Sequence, residues 1–442
     1  MIENPPTLTP ELLNSAVAKM NNPQIMEVVS EINQKYLYWS DVKYRKVDGL
    51  SSQELWGLVR LSRLSLYAFI WPNHRICVPM TNHMQQMCHD FDMNFGGFWG
   101  TDSIIPKEGR EKYLTSSIME EAIASSQIEG ASTTRKVAKD MLRRNQSPRN
   151  RAEQMIHNNY AAIRYITENK AADLTVDIVL RLHEIMTENT LDNAEDAGHF
   201  RTNNDVVVAD SISGEVVHTP PDFSEIPGFI DSLCSFANMD ENNSGKFFLH
   251  PIIKALTIHF LVAYYHPFVD GNGRTARALF YWYMLKSGYW LTEYLSISRI
   301  IYRSKASYEK AYEYAEHDGN DIGYFIVYNL RVLKLAFEGL RSYIETKIAQ
   351  KQRSYSILSI GGINHRQATL LSMLRDNPTL VLSVNDLVAK FGVSKPTVNK
   401  DLVQLVERGL LKKIPINNKQ SNYSKGPDFD NVVNRQDVLY YS

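Results

Sequence analysis

Cysteine is scarce in this chain. Cys77, Cys88 and Cys234 are three thiols in 442 residues, odd in number and without metal-ligand spacing. A disulfide framework and a cysteine-built metal site are thereby excluded, and reduced thiols in an intracellular compartment are the simplest expectation. An excess of either charge is also missing. The formal net charge of -1 argues against a polyanion-binding surface over the whole molecule, while leaving room for a local patch. No segment reaches the roughly 18 uncharged apolar residues that a membrane span needs. The first residues, MIENPPTLTPELL, have neither a basic region nor an apolar core of the targeting kind. These absences lead us to expect a soluble, cytoplasmic protein with no membrane partner. Hydrophobic residues, by contrast, make up 44%. The length exceeds that at which one hydrophobic core keeps growing, so two or three domains are expected.

Chemistry is concentrated in residues 266 to 277, HPFVDGNGRTAR. His266 precedes Pro267, which disfavours helix at the residue before it, so the imidazole should sit at the end of the apolar helix closing with LTIHFLVAYY. Gly271, Asn272 and Gly273 can take positive φ at little cost, and successive N–H groups in such a turn form a concave nest for an anion. Arg274 and Arg277, three apart, put two guanidiniums on one face of the first turn of the following helix. A helix N-terminus favours anions already, which makes phosphate the natural guest. Asp270 would repel phosphate by itself, and makes sense if Mg²⁺ bridges the two through oxygen ligands. His266, with an ordinary pKa of about 6.5, can take a proton from a hydroxyl at neutral pH. Each piece alone is commonplace as a helix end, a surface turn or a solvated helix face. Their coincidence in twelve residues between two apolar helices is not.

The run resembles the signature of the Fic family, HPFx(D/E)GNGRxxR, and matches it at every fixed position. Members of that family typically transfer AMP from ATP to a Ser, Thr or Tyr hydroxyl of a protein, and some remove it again. The resemblance implies that His266 activates the target hydroxyl, that Asp270 holds Mg²⁺, that Gly271, Asn272 and Gly273 cradle phosphates, and that Arg274 and Arg277 bind the outer phosphates. Upstream, MEEAIASSQIEGAS resembles the family's inhibitory motif (S/T)xxxE(G/N). Ser125 and Glu129 stand four apart on one face of an expected helix, and Gly130 is a candidate C-cap. The resemblance pairs Glu129 with Arg277, against the γ-phosphate. An ordinary amphipathic helix end is the alternative.

Between these motifs, Val206 to Val208 and Glu215 to His218 are short β-type runs joined by a Ser213-Gly214 turn and stopped by Pro220-Pro221. The expected hairpin resembles the flap beside the family's active site, which docks a target segment by strand addition. Arg201, in a GxFR pattern, is given only a supporting place. Family members also have tyrosines near the adenine, for which Tyr308 and Tyr312 are candidates; at helical spacing, core packing is the alternative. His250 and His259 are expected to pack and not to bind metal.

The expected fold is mainly α: a Fic-type helical core with a small β-hairpin flap, an N-terminal helical region and a C-terminal winged helix-turn-helix. Residues 1–105 form the N-terminal region, in which SSQE at Ser51 to Glu54 caps the long apolar run LWGLVRLSRLSLYAFIW. Residues 106–345 form the Fic domain with its inhibitory helix, 346–362 a linker, 363–424 the winged unit and 425–442 a tail. Within the winged unit, Phe391-Gly392-Val393-Ser394 marks the helix-turn-helix turn. Seven basic residues between Lys390 and Lys419 face two acidic ones, Asp401 and Glu407. Lys395, Thr397, Asn399 and Lys400 are the candidate DNA contacts. Protein contacts, including homodimerisation, are the alternative use of such a unit.

The expected activity is that of a self-inhibited protein adenylyltransferase, with ATP as substrate and Mg²⁺ as cofactor, acting on an unidentified protein that offers a hydroxyl side chain. A DNA-binding transcriptional regulator with a nucleotide-sensing core, and a de-AMPylating enzyme, stay open beside it.

Overall fold

The computed structural model describes residues 2–96, 110–210, 213–239, 248–358, 360–417 and 420–434. The expected boundary at 105, Lys419 of the basic cluster and the last eight residues of the expected tail lie outside them. The described chain is mainly helical, with three small sheets, and divides into two compact units, residues 1–340 and 341–442.

In the first unit, α1 (Pro10–Val17), α2 (Pro23–Lys35) and α3 (Ser52–Leu64) begin with capped turns. At α3 the Ser51 side chain accepts from the Glu54 N–H while Glu54 reaches back to the Ser51 N–H. The apolar run after that cap is not one helix. It ends at Leu64, and Tyr67–Trp71 (β1) pairs antiparallel with Ile76–Pro79 (β2). The aromatic and branched residues YAFIW suit a pleated ladder, and Pro72 follows. This N-terminal portion belongs to the same compact unit as the signature. A buried polar cluster ties it in: Arg63, fully buried, meets Asn33, Asp318 and Tyr324, while Arg60 meets Asp318 and Asp321.

After α4 (Asn82–Phe91), the helices α5 (Arg110–Ile128), α6 (Arg135–Arg143), α7 (Arg151–Glu168) and α8 (Val176–Thr187) surround the signature. The flap is shorter than expected, Val208–Ala209 (β3) against Val216–His218 (β4). Then come α9 (Ile226–Asn238), α10 (Pro251–Tyr265) and α11 (Asn272–Lys286). The last two are buried along nearly their whole length, as suits the central pair of a helical core. Next are α12 (Ile297–Arg303), α13 (Lys305–His317) and α14 (Gly323–Leu358). The stretch read as a linker is helical up to Leu358. Its break falls at Gly361 and Gly362, which both take positive φ.

The second unit contains α15 (His365–Asp376), α16 (Val384–Phe391), α17 (Lys395–Glu407) and a three-stranded sheet in the order β5 (Leu382–Ser383), β7 (Ser421–Lys425), β6 (Leu411–Pro415). Leu371, Leu374, Leu387, Leu402 and Leu405 fill its own core.

Candidate functional site

His266 ends α10 in the left-handed conformation, φ 46° and ψ 59°, an uncommon state for a residue with a side chain. The turn aims its ring back along the helix, so that Nδ1 lies 2.7 Å from the Ala263 carbonyl oxygen. A carbonyl only accepts, so the neutral ring keeps its proton on Nδ1, and Nε2 is the basic atom. Burial pushes the imidazole down to about 4. At neutral pH the ring is therefore uncharged.

The loop after His266 is pinned at several points. Arg201, 3% exposed, donates from Nε to the His266 carbonyl at 2.9 Å and from Nη2 to the Pro221 carbonyl, while its backbone N–H donates to Pro267 at 2.9 Å. Asn272 closes the loop on itself, accepting from the Phe268 N–H at 2.9 Å and donating to the Phe268 carbonyl at 2.8 Å. Its Oδ1 and one Nδ2 hydrogen are thus engaged inside the loop. Gly271 takes φ 86°, which favours glycine, and caps α11. The Asp270 carboxylate is about half exposed at the mouth. It accepts from the Gly271 N–H at 2.5 Å, with Arg274 Nη2 3.6 Å and Arg151 Nη2 3.9 Å from Oδ2.

Arg274 is 1% exposed. Its Nη1 donates to the Met186 carbonyl at 3.1 Å, but its Nε and Nη2 make no hydrogen bond among the described residues. Buried donors without acceptors are costly, and an anion on the helix N-terminus would supply the acceptors. Arg277, 3% exposed, is held by the upstream helix through Nε and Nη2. Nε donates to Ser125 Oγ at 2.9 Å, and Nη2 to the Ser125 carbonyl at 3.0 Å and to Glu129 Oε1 at 2.8 Å. Burial pushes the Glu129 carboxyl up, yet Arg277, with Arg274 behind it, holds it below the ordinary carboxylate range. Glu129 follows the last residue of α5. There Gly130, at φ 90°, donates to the Gln127 carbonyl and Ala131 to that of Ser126, the paired closure of a glycine C-cap. Gly273 gives Glu129 its space, because a Cβ there would collide with Oε1.

Part of this set lines one cavity of about 420 Å³, of the size that takes a small-molecule ligand, while Arg274, Arg201 and Ser125 stand behind its wall. Glu129, His266, Asp270, Gly271, Asn272, Gly273 and Arg277 belong to its wall, together with the flap residues Val206 to Ala209, Val217 and His218. Tyr308 and Tyr312 line it as well. They also join a polar chain inside the core, His259 Nε2 to Tyr308 Oη at 2.8 Å and Tyr308 to Tyr312 at 3.1 Å. His250 serves as the N-cap of α10. Among the described residues no group of three or more His, Cys, Asp and Glu could hold a metal ion. A single exposed carboxylate such as that of Asp270 would suit an Mg²⁺ ion that takes its other oxygens from water and substrate phosphates.

One residue of this site gives no sign in the sequence. His183, fully buried on α8, accepts the Gly198 N–H on Nδ1 at 3.1 Å and so donates from Nε2 to the Asp270 carbonyl at 2.9 Å. Its ring stacks on Phe268 with centroids 3.7 Å apart and planes within 3°. Burial pushes it down to about 4. In sequence it is a lone histidine in an amphipathic helix, where no pattern sets it apart.

In the second unit, α17 buries Val398, Leu402 and Leu405 and leaves Lys395, Asn399 and Lys400 exposed. Thr397 is half-buried, its Oγ1 2.9 Å from Ser394 Oγ. Asp401 does not oppose this basic face: it is buried and held by Arg366 at 2.7 Å and Asn364 at 2.7 Å. The hairpin of β6 and β7 carries exposed Lys412 and Lys413.

Comparison with known proteins agrees with this division. The sequence model of the Fic/DOC family matches residues 173–284, and that of the MarR family matches residues 361–416. Curated proteins named protein adenylyltransferase Fic, from Drosophila mojavensis and Drosophila melanogaster, are each 28% identical over 130 residues, 29% of this chain and 23% and 24% of theirs. The chain thus matches about a quarter of the length of those relatives. A crystal structure of a Fic family protein from Desulfovibrio desulfuricans G20 aligns over 79% of this chain and 97% of its own, with 18% identity and a TM-score of 0.49. Fic-1 from C. elegans aligns over 77% and 87%, with 18% identity and a TM-score of 0.46.

Proposed function

We propose that this chain, which carries a Fic domain over residues 173–284 and a MarR-family segment over 361–416, is a self-inhibited protein adenylyltransferase. The observation that carries the proposal is the tautomer of His266. With Nδ1 bound to Ala263, the basic Nε2 is left for the cavity that also holds the phosphate nest. His266 takes the proton of a Ser, Thr or Tyr hydroxyl. The hydroxyl oxygen forms its bond to the α-phosphorus of ATP while the bond to the pyrophosphate oxygen breaks in line. Pyrophosphate leaves, AMP stays on the target, and the proton returns to solvent from His266. The N-terminus of α11 and the Arg274 guanidinium, whose Nε and Nη2 make no hydrogen bond among the described residues, hold the phosphates and the charge that develops on them. Asp270 would hold Mg²⁺, which when bound neutralises phosphate charge.

Glu129 supplies the self-inhibition in this reading. It occupies the Nη2 of Arg277 that the γ-phosphate would otherwise use, so ATP binds with its α-phosphorus turned from the hydroxyl. The three cysteines are unpaired thiols and no described helix is long and apolar enough to cross a membrane, which supports a cytoplasmic setting.

Incubation with Mg²⁺ and ATP labelled at the α-phosphorus tests the proposal, with transferred label as the expected result. The exposed basic face of α17 favours a second reading, a DNA-binding regulator whose Fic core senses nucleotide. Label that is retained by the chain and never transferred would favour it.

A further inference from the structure

We infer that His183 is a positioning residue, which aims the Asp270 carboxylate by fixing the peptide between Asp270 and Gly271. The inference rests on the proposed metal-binding place of Asp270. That peptide is one the chain itself leaves undetermined. Gly271 accepts either sign of φ at little cost, so the Asp270 carbonyl can point either way unless something outside the loop holds it. The side chain of Asn272 binds Phe268 and leaves the next peptides alone. The hydrogen bond from His183 Nε2 to the Asp270 oxygen, 2.9 Å, is the hold.

His183 is equipped to be rigid. The Gly198 N–H on Nδ1 fixes which nitrogen carries the proton, Phe268 lies flat against the ring, and Thr187 Oγ1 donates to the His183 carbonyl at 2.7 Å. A Cβ on Gly271 would stand 3.0 Å from Thr187 Cγ2 and 3.4 Å from His183 Nε2, so the two residues form a close floor under the loop. Turning the peptide would also swing away the Gly271 N–H, which donates to Asp270 Oδ1 at 2.5 Å and so sets the carboxylate's direction. One hydrogen bond thus orients both the carbonyl and the carboxylate. Outer partners of metal ligands matter for this reason, and their loss weakens metal binding on the order of 10- to 100-fold.

The test is calorimetry of ADP binding to the full chain, with and without Mg²⁺. ADP avoids turnover. His183→Phe keeps a ring on Phe268 but has no donor, while His183→Gln keeps an amide N–H. We expect the gain in ADP affinity from Mg²⁺ to fall by about tenfold or more in the Phe variant, with metal-free binding unchanged. The Gln variant should keep most of the gain. A full gain in the Phe variant overturns the inference, and so does a Gln variant that loses as much as Phe. His183→Leu, which also lacks a donor, serves if the Phe variant does not fold. Asp270→Ala separates the two claims. If it loses the gain while His183→Phe keeps it, only the place of His183 is wrong. If Asp270→Ala itself keeps the gain, the metal reading fails and the inference goes with it.

Discussion

Arg277 Nη2 donates to Glu129 Oε1 at 2.8 Å across 148 residues of sequence. The same guanidinium binds the Oγ and the carbonyl of Ser125, so the signature helix and the upstream helix share one buried charge. The upstream helix is also built into the core. Met119 and Ile123 are buried in it, and Glu121 accepts from the Ser298 N–H at 2.9 Å. On the proposed self-inhibition, release would therefore occur at the end of α5, around Glu129, and not by departure of the whole helix.

Glu129→Gly should lower stability by about 1–3 kcal/mol, because Arg277 loses its charged partner while keeping Ser125. Gly273→Ala should also destabilise the wild-type chain, since the added methyl meets Glu129. In the Glu129→Gly background that second cost should largely vanish. Urea unfolding of the four chains measures the coupling, and additive costs would place Glu129 away from Gly273 in solution.

The pH dependence follows from a lowered histidine. With His266 down at about 4, the base is ready through the neutral range, and the acid limb of the pH–rate profile should fall near 4 instead of 6.5. Stability carries the same sign. Neutral, buried His183 and His266 bind fewer protons folded than unfolded between about 6.5 and 4, so stability is full above that window and lost as pH falls through it. Unfolding midpoints from pH 8 to 4 check this, and a flat curve would contradict it.

Much of this site is legible in sequence because its members are neighbours along the chain. His266 to Arg277 need only a helix end, a turn and a helix start to converge. Glu129 is reachable only through the resemblance, since nothing local reveals a partner 148 residues away. His183 is out of reach for the same reason, as its role lies in a bond to a backbone carbonyl, which leaves no trace in residue type. The strand at Tyr67–Trp71, where the apolar run suggests helix, shows another limit: a short apolar run carries no period that separates strand from buried helix.

The exposed basic face of α17 makes duplex DNA a candidate partner of the second unit, with protein contacts as the alternative. Lys395→Ala together with Lys400→Ala should weaken binding to all sequences alike and flatten the plot of log affinity against log salt by about one unit for each phosphate that a lysine no longer neutralises. Fluorescence anisotropy over a salt series measures the slope. A wild-type chain with no salt-dependent DNA binding would assign the basic face to another partner.

His266→Ala should cost about 10²- to 10⁴-fold in transfer rate while sparing ATP binding, because the ring acts on the hydroxyl and not on the phosphates. Equal rates in mutant and wild type would remove His266 from the chemistry.

In the proposed function Glu129 restrains a competent transferase through Arg277. Transfer of label from α-labelled ATP to protein, measured for the wild type, Glu129→Gly, Arg277→Ala and the double variant, tests it most directly. Little label is expected on the wild type, strong labelling by Glu129→Gly, and none by either chain that lacks Arg277. Equal labelling by the wild type and Glu129→Gly would contradict it.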